Sequence, residues 1–150
     1  DGLGTNIYIV GFKTVKNWEK ILIASVVQNF FPAITKGTLT VRIGDTEISE
    51  ANVGDLFSQK RIRKAIEGMH DVSEESFEAT KGLFEAYTGA DYEESSEVTH
   101  IGHVKIFMKR RPDTQKRNVG LIRDGMFITN HLDGLKRFSK ALDGFDVLIR

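Results

Sequence analysis

No cysteine occurs among the 150 residues, which removes disulfides, thiolate chemistry and cysteine–zinc sites together. That usage fits a reducing compartment. An excess of charge of either sign is also missing: Lys plus Arg and Asp plus Glu balance at 21 each. Whole-chain electrostatics therefore point to neither nucleic acid nor membrane. Nor is there a long hydrophobic run. The longest apolar stretch, Ile21 to Ile34, is interrupted by Ser25, Gln28 and Asn29 and is too short to cross a bilayer. No signal peptide or basic presequence is legible, so the expectation is a cytoplasmic protein without membrane contact.

What is present describes a globular chain. Hydrophobic content is 40% and charged content 28%, a balance that supports a packed core rather than disorder. The length suits one domain, which buries roughly two-thirds of the surface its unfolded chain exposes. The first residue is Asp1, and Asn6-Ile-Tyr-Ile-Val10 already reads as a strand; Val147-Leu-Ile-Arg150 is strand-like again, without a polar tail. Domain boundaries usually carry loose polar ends. The expectation is an internal segment of a larger soluble α/β protein, lacking a complete catalytic site of its own.

Along the chain, residues 6–12 read as a buried strand ending at Gly11. Asn17 is a candidate N-cap for a long helix over 17–35, with Trp18, Ile21, Leu22, Ser25, Val26, Asn29 and Phe30 at helical spacing. Ile23, Val27, Phe31 and Ile34 fill a second apolar face, as on a helix sandwiched between layers. Pro32 should kink it or tighten its last turn, and Gly37 is a natural stop. Thr38 to Ile43 alternates as a strand, Gly44-Asp45-Thr46 is a turn, and Glu47 to Ser49 is a short return.

Val53 to Thr88 is helical but weaker, broken by Gly68 and Asp71. Phe77, Thr80, Lys81, Phe84 and Tyr87 mark one face of its second part. Asp91 to Glu97 reads as an acidic loop. Two strong strands follow, Val98 to Arg110 and Asn118 to Thr129, joined by a turn in a basic hairpin over 109–117. Arg123-Asp-Gly-Met126 interrupts the second strand as a turn or bulge. A short helix over 134–142 and a strand from Phe145 to Ile149 complete the order. This order implies an α+β fold, a mixed or mainly antiparallel sheet on a long buried helix in a two-layer sandwich.

Catalytic patterns are scarce. His100 and His103, three apart on one strand, point to opposite faces and cannot share an ion; His70 looks like loop and cap. No metal motif, nucleophile elbow or spaced triad occurs. The acids Glu74/Glu75 and Glu93/Glu94 read as solvated surface. Lys109, Arg110, Arg111, Lys116 and Arg117 cluster at the hairpin, where they present positive charge to phosphate or nucleic acid, or simply keep an edge soluble. Arg123 either reaches an anion or pairs with Asp124. Gly2-Leu-Gly-Thr5 lets a backbone approach a phosphate, but no Gly-Lys-Ser/Thr follows it, and the plainer reading is a turn.

Gly4-Thr5-Asn6-Ile7 with Tyr8-Ile-Val-Gly-Phe12, then Trp18-Glu19 opening a helix that carries Asn29-Phe-Phe-Pro-Ala-Ile34, resembles the GHKL ATPases of bacterial type. This is the superfamily of gyrase, heat-shock chaperones, histidine kinases and mismatch-repair ATPases. Val119-Gly-Leu-Ile-Arg-Asp-Gly-Met-Phe-Ile128 resembles a strand of their downstream transducer region. The resemblance implies that residues 1–12 close an upstream nucleotide-binding domain, or form the first strand of this one, and that 13–150 form a transducer-like α/β domain. It implies ATP and Mg in the full-length context, with Gly4, Thr5 and Arg123 near the nucleotide and the basic cluster as further phosphate contacts. Partners would be the upstream ATPase domain and a second copy in a homodimer. The glutamate-bearing N-box and the Asp-x-Gly-x-Gly box would lie upstream, and no Gln-x-Lys switch loop is legible. No catalytic residue and no metal ligand is assigned to this segment. The alternative is a nucleic-acid-binding module using hairpin 109–117.

Overall fold

A computed structural model describes residues 15–67, 73–132 and 143–150. The expected strand at 6–12, His70 and the expected helix at 134–142 lie outside the described residues. The first element, α1 (Trp18–Thr35), buries Ile23, Ala24, Val27, Phe31 and Ile34 on its inward side. Asn17 stands at its start with φ 64° but makes no side-chain capping bond. Its end is a Schellman turn: the Gly37 N–H donates to Ile34 O at 2.9 Å and the Thr38 N–H to Ala33 O at 3.0 Å. Gly37 has φ +68°, the left-handed conformation that this motif requires.

A small hairpin follows, β1 (Val41–Ile43) with β2 (Thr46–Ile48), then α2 (Val53–Ser58), α3 (Lys60–Ile66) and α4 (Glu74–Thr88). The start of α4 is capped by Ser73, whose Oγ accepts from the Ser76 N–H at 3.1 Å. Its residues Phe77, Thr80, Leu83 and Ala86 recur at three-residue spacing and are all buried. Helices α1, α2 and α4 and the sheet residue Phe127 meet in an aromatic cluster. Phe31 contacts Phe57, Phe84, Tyr87 and Phe127 with ring centroids about 6 Å apart, a range favourable for edge-to-face packing.

The second layer is a five-stranded mixed sheet of β3 (Tyr92–Val98), β4 (Gly102–Arg111), β5 (Arg117–Arg123), β6 (Met126–Thr129) and β7 (Gly144–Ile149), in the order β3-β4-β7-β5-β6. Only β5 and β7 run parallel. The α+β expectation and the two-layer packing against a long helix hold. Among the described residues no helix is long and apolar enough to cross a membrane.

Three local expectations change. Asp91 to Glu97 is mostly strand β3 rather than a loop, although every one of its residues is exposed. Two of its acids face cross-strand partners, Glu93 bound to Lys105 at 2.6 Å and Glu97 beside His103 at 3.7 Å, which offsets a low intrinsic strand preference. Val98 to Arg110 is broken at Thr99–Ile101, where His100 turns with φ 66°. The two histidines therefore do not share a strand. Segment 109–117 is not a hairpin, because β7 pairs with both β4 and β5 and separates them. The apolar run Phe145–Ile149 belongs in the sheet centre, and opening the two neighbours is what admits it.

At Asp124–Gly125, where a turn or bulge was expected, a two-residue turn with φ 50° and 83° joins β5 to β6, as a primed hairpin turn requires. Gly125 packs so closely on α1 that a Cβ there would lie 2.9 Å from the Ala33 Cβ. Gly125→Ala therefore combines a strained φ with a clash against the α1 backbone side, and should destabilise the fold by about 2 kcal/mol. Chemical denaturation checks this, and an unchanged midpoint would contradict the packing described.

Candidate functional site

A groove of about 1260 Å³ lies where the first turns of α4 face the β4–β5 connection and the sheet centre. Its floor is built on one carboxylate. Asp146, on central strand β7, is only 2% exposed yet sits in the otherwise apolar run Phe145–Ile149. A buried carboxylate needs a partner and saturated hydrogen bonds. Arg111, at the end of β4, donates from Nε to Asp146 Oδ2 at 2.5 Å. Asn118, level with Asp146 on β5, donates from Nδ2 to its other oxygen at 2.6 Å. The second arm of Arg111 reaches Glu85 on α4, Nη2 to Oε2 at 2.5 Å. One guanidinium thus joins the sheet to the helix above it.

That helix comes close because residue 82 is glycine. A Cβ at Gly82 would stand 2.6 Å from Asp146 Oδ2, so any larger residue lifts α4 or displaces the carboxylate. Burial of Arg111 opposes its charge, but the hydrogen bonds and attraction of Asp146 and Glu85 prevail, and its pKa is raised. With two carboxylates on one guanidinium, the floor carries no spare positive charge. Its chemistry is that of a clamp rather than a phosphate cradle. The α4 wall carries Glu74, Glu75, Glu78 and Lys81, and Lys116, Arg117 and His131 stand opposite.

The residues singled out in the sequence are dispersed. Gly4 and Thr5 lie outside the described residues. Arg111, Lys116 and Arg117 share the groove, and the Arg117 guanidinium also lies over the Phe145 ring at 5.6 Å. Lys109 is spent on a bond to Gly89 O at 2.8 Å, and Arg110 pairs with Asp143 at 3.4 Å. The cluster therefore does not present five cations together. Arg123 stands apart, at the tip of the β5–β6 hairpin, with a side chain 82% exposed and a loose pair to Asp124 at 3.4 Å. Such an exposed contact contributes about 0–1 kcal/mol, leaving the guanidinium available.

Local sequence pattern does not single out Asp146, Glu85, Asn118 or Gly82. A lone acid inside the final apolar strand was the available signal for Asp146; nothing local pointed to its partners. Comparison with known protein families, curated proteins and solved structures finds no match to this chain.

The clamp makes a stability prediction. Arg111→Ala should cost about 3 kcal/mol, at the low end of the range for breaking a buried pair because Arg111 is a quarter exposed. Arg111→Met combined with Asp146→Leu should recover most of that loss, since an apolar pair leaves no orphaned charge at the sheet centre. Urea titrations of both variants test this. A single variant as stable as the parent would refute the clamp.

Proposed function

We propose that this chain is the non-catalytic, transducer-like segment of a GHKL-type ATPase, converting nucleotide state into domain movement or a dimer contact. The observation that carries the reading is a backbone bond between Arg123's hairpin and the long helix. Pro32 interrupts the hydrogen-bond ladder of α1, since it lacks an N–H and its ring crowds the carbonyl one turn back. The next amide, of Ala33, donates out of the helix to Gly125 O at 3.0 Å. Gly125 lies two residues from Arg123, so a displacement of the arginine tip pulls on α1.

The helix carries such a displacement onward. It packs against α2, α3, α4 and β6, and a close-packed interior transmits strain rather than absorbing it. A coupling element needs contacts that differ between two states. An exposed, loosely held guanidinium at the end of a rigid linkage meets that need if it binds the nucleotide's phosphates in one state only. The ATPase domain upstream in the same chain would be the partner, with ATP and Mg held there.

Two outcomes are expected. The isolated chain binds no ATP measurable by calorimetry and hydrolyses none; tight binding by residues 1–150 would overturn the assignment. In the chain joined to its ATPase domain, Arg123→Ala lowers ATP turnover about tenfold or more, as expected for loss of a charged phosphate contact. Its own folding stability shifts by no more than about 0.5 kcal/mol. Unaltered turnover would remove Arg123 from the nucleotide site.

A further inference from the structure

The geometry points to a phosphate-backbone contact surface for duplex nucleic acid on α3, away from both the groove and the Arg123 tip. Lys60-Arg-Ile-Arg-Lys64 places four cations among five residues, and no acid occurs anywhere in α3. The helix is fixed to the core by Ile62, 1% exposed, and Ile66, 0% exposed. With those two turned inward, helical spacing puts Lys60, Arg61 and Lys64 on the outward face, and all three are exposed.

Arg63 turns the other way and pairs with Glu78 at 2.6 Å. The remaining three are uncommitted. Arg61 bonds only the neutral amide of Gln59, and among the described residues no carboxylate forms an ion pair with Lys60, Arg61 or Lys64. This contrasts with segment 109–117, where Lys109, Arg110 and Arg111 are bound to groups of the chain itself.

The form of the patch selects the ligand. Lys60 to Lys64 spans about 6 Å of helix axis, which brings three cations into register with closely repeated charges. A duplex supplies one phosphate per roughly 3.4 Å along each strand. A bilayer surface is disfavoured, because a membrane-bound helix inserts an apolar face, and the large apolar side chains of α3 are both in the core. The overall neutrality of the chain limits long-range attraction, so binding would be local, modest and independent of base sequence.

Fluorescence anisotropy with a labelled DNA duplex of about 20 base pairs, titrated between about 50 and 200 mM salt, tests this. The expected result is binding whose log–log salt slope is about −3, from three phosphate contacts at roughly 0.9 each. Lys60→Ala, Arg61→Ala and Lys64→Ala combined should weaken it more than tenfold and flatten the slope. Lys60→Arg with Lys64→Arg should retain it, and Lys109→Ala with Arg110→Ala and Lys116→Ala should leave it unchanged. A melting curve like the parent's establishes that the α3 variant is folded. The proposal is overturned by absence of binding at the lowest salt, by undiminished binding of the folded α3 variant, or by equal binding to vesicles of anionic lipid.

Discussion

Asp146 stands on the middle strand of the sheet, almost wholly removed from water, and its charge dictates what can surround it. Arg111 must end β4 beside it, Asn118 must lie level with it on β5, and α4 must present a glycine where it passes over the carboxylate. Glu85 holds the other side of Arg111, so the clamp spans both layers. An apolar trio would give similar stability. What the polar set adds is registry, since a strand slip or a rotation of α4 would leave a bare charge in the interior. This constraint fixes the helix layer over the sheet, to whose edge hairpin α1 is bonded through Ala33 and Gly125.

Much of the architecture could be read from local pattern, because local pattern is what forms it. The doubled apolar spacing of α1, its proline and its Gly37 stop all correspond to features of the folded helix. The Asp124–Gly125 turn is legible for the same reason: two consecutive left-handed residues suit few sequences. β3 was not legible. Tyr92–Val98 has acids and serines where a strand usually has branched or aromatic residues, and only its partner β4 makes it extended. The insertion of β7 between β4 and β5 is a long-range event that no window of sequence contains. The candidate sites divide similarly. Arg123's exposure follows from its turn, whereas the fate of the basic cluster depended on Asp146, Glu85 and Gly89, none of them adjacent in sequence.

Charge is also distributed with more purpose than its zero sum suggests. Acids gather along β3 and the start of α4, while Lys60, Arg61 and Lys64 on α3 form no ion pair among the described residues. Cations near buried or half-buried carboxylates are consumed in holding the fold. Those at Arg123 and on α3 are left facing solvent on elements fixed by apolar anchors or backbone bonds. The distinction between engaged and available arginines, rather than their number, separates structural from functional candidates here.

Coupling requires the Ala33–Gly125 bond to be sensitive to what Arg123 holds. Amide hydrogen exchange at Ala33, measured in the chain joined to its ATPase domain with and without a non-hydrolysable ATP analogue, addresses this most directly. The account predicts that nucleotide changes exchange at Ala33 and along the last turns of α1, and that Arg123→Ala abolishes the change. Identical exchange at Ala33 in the two states would contradict it.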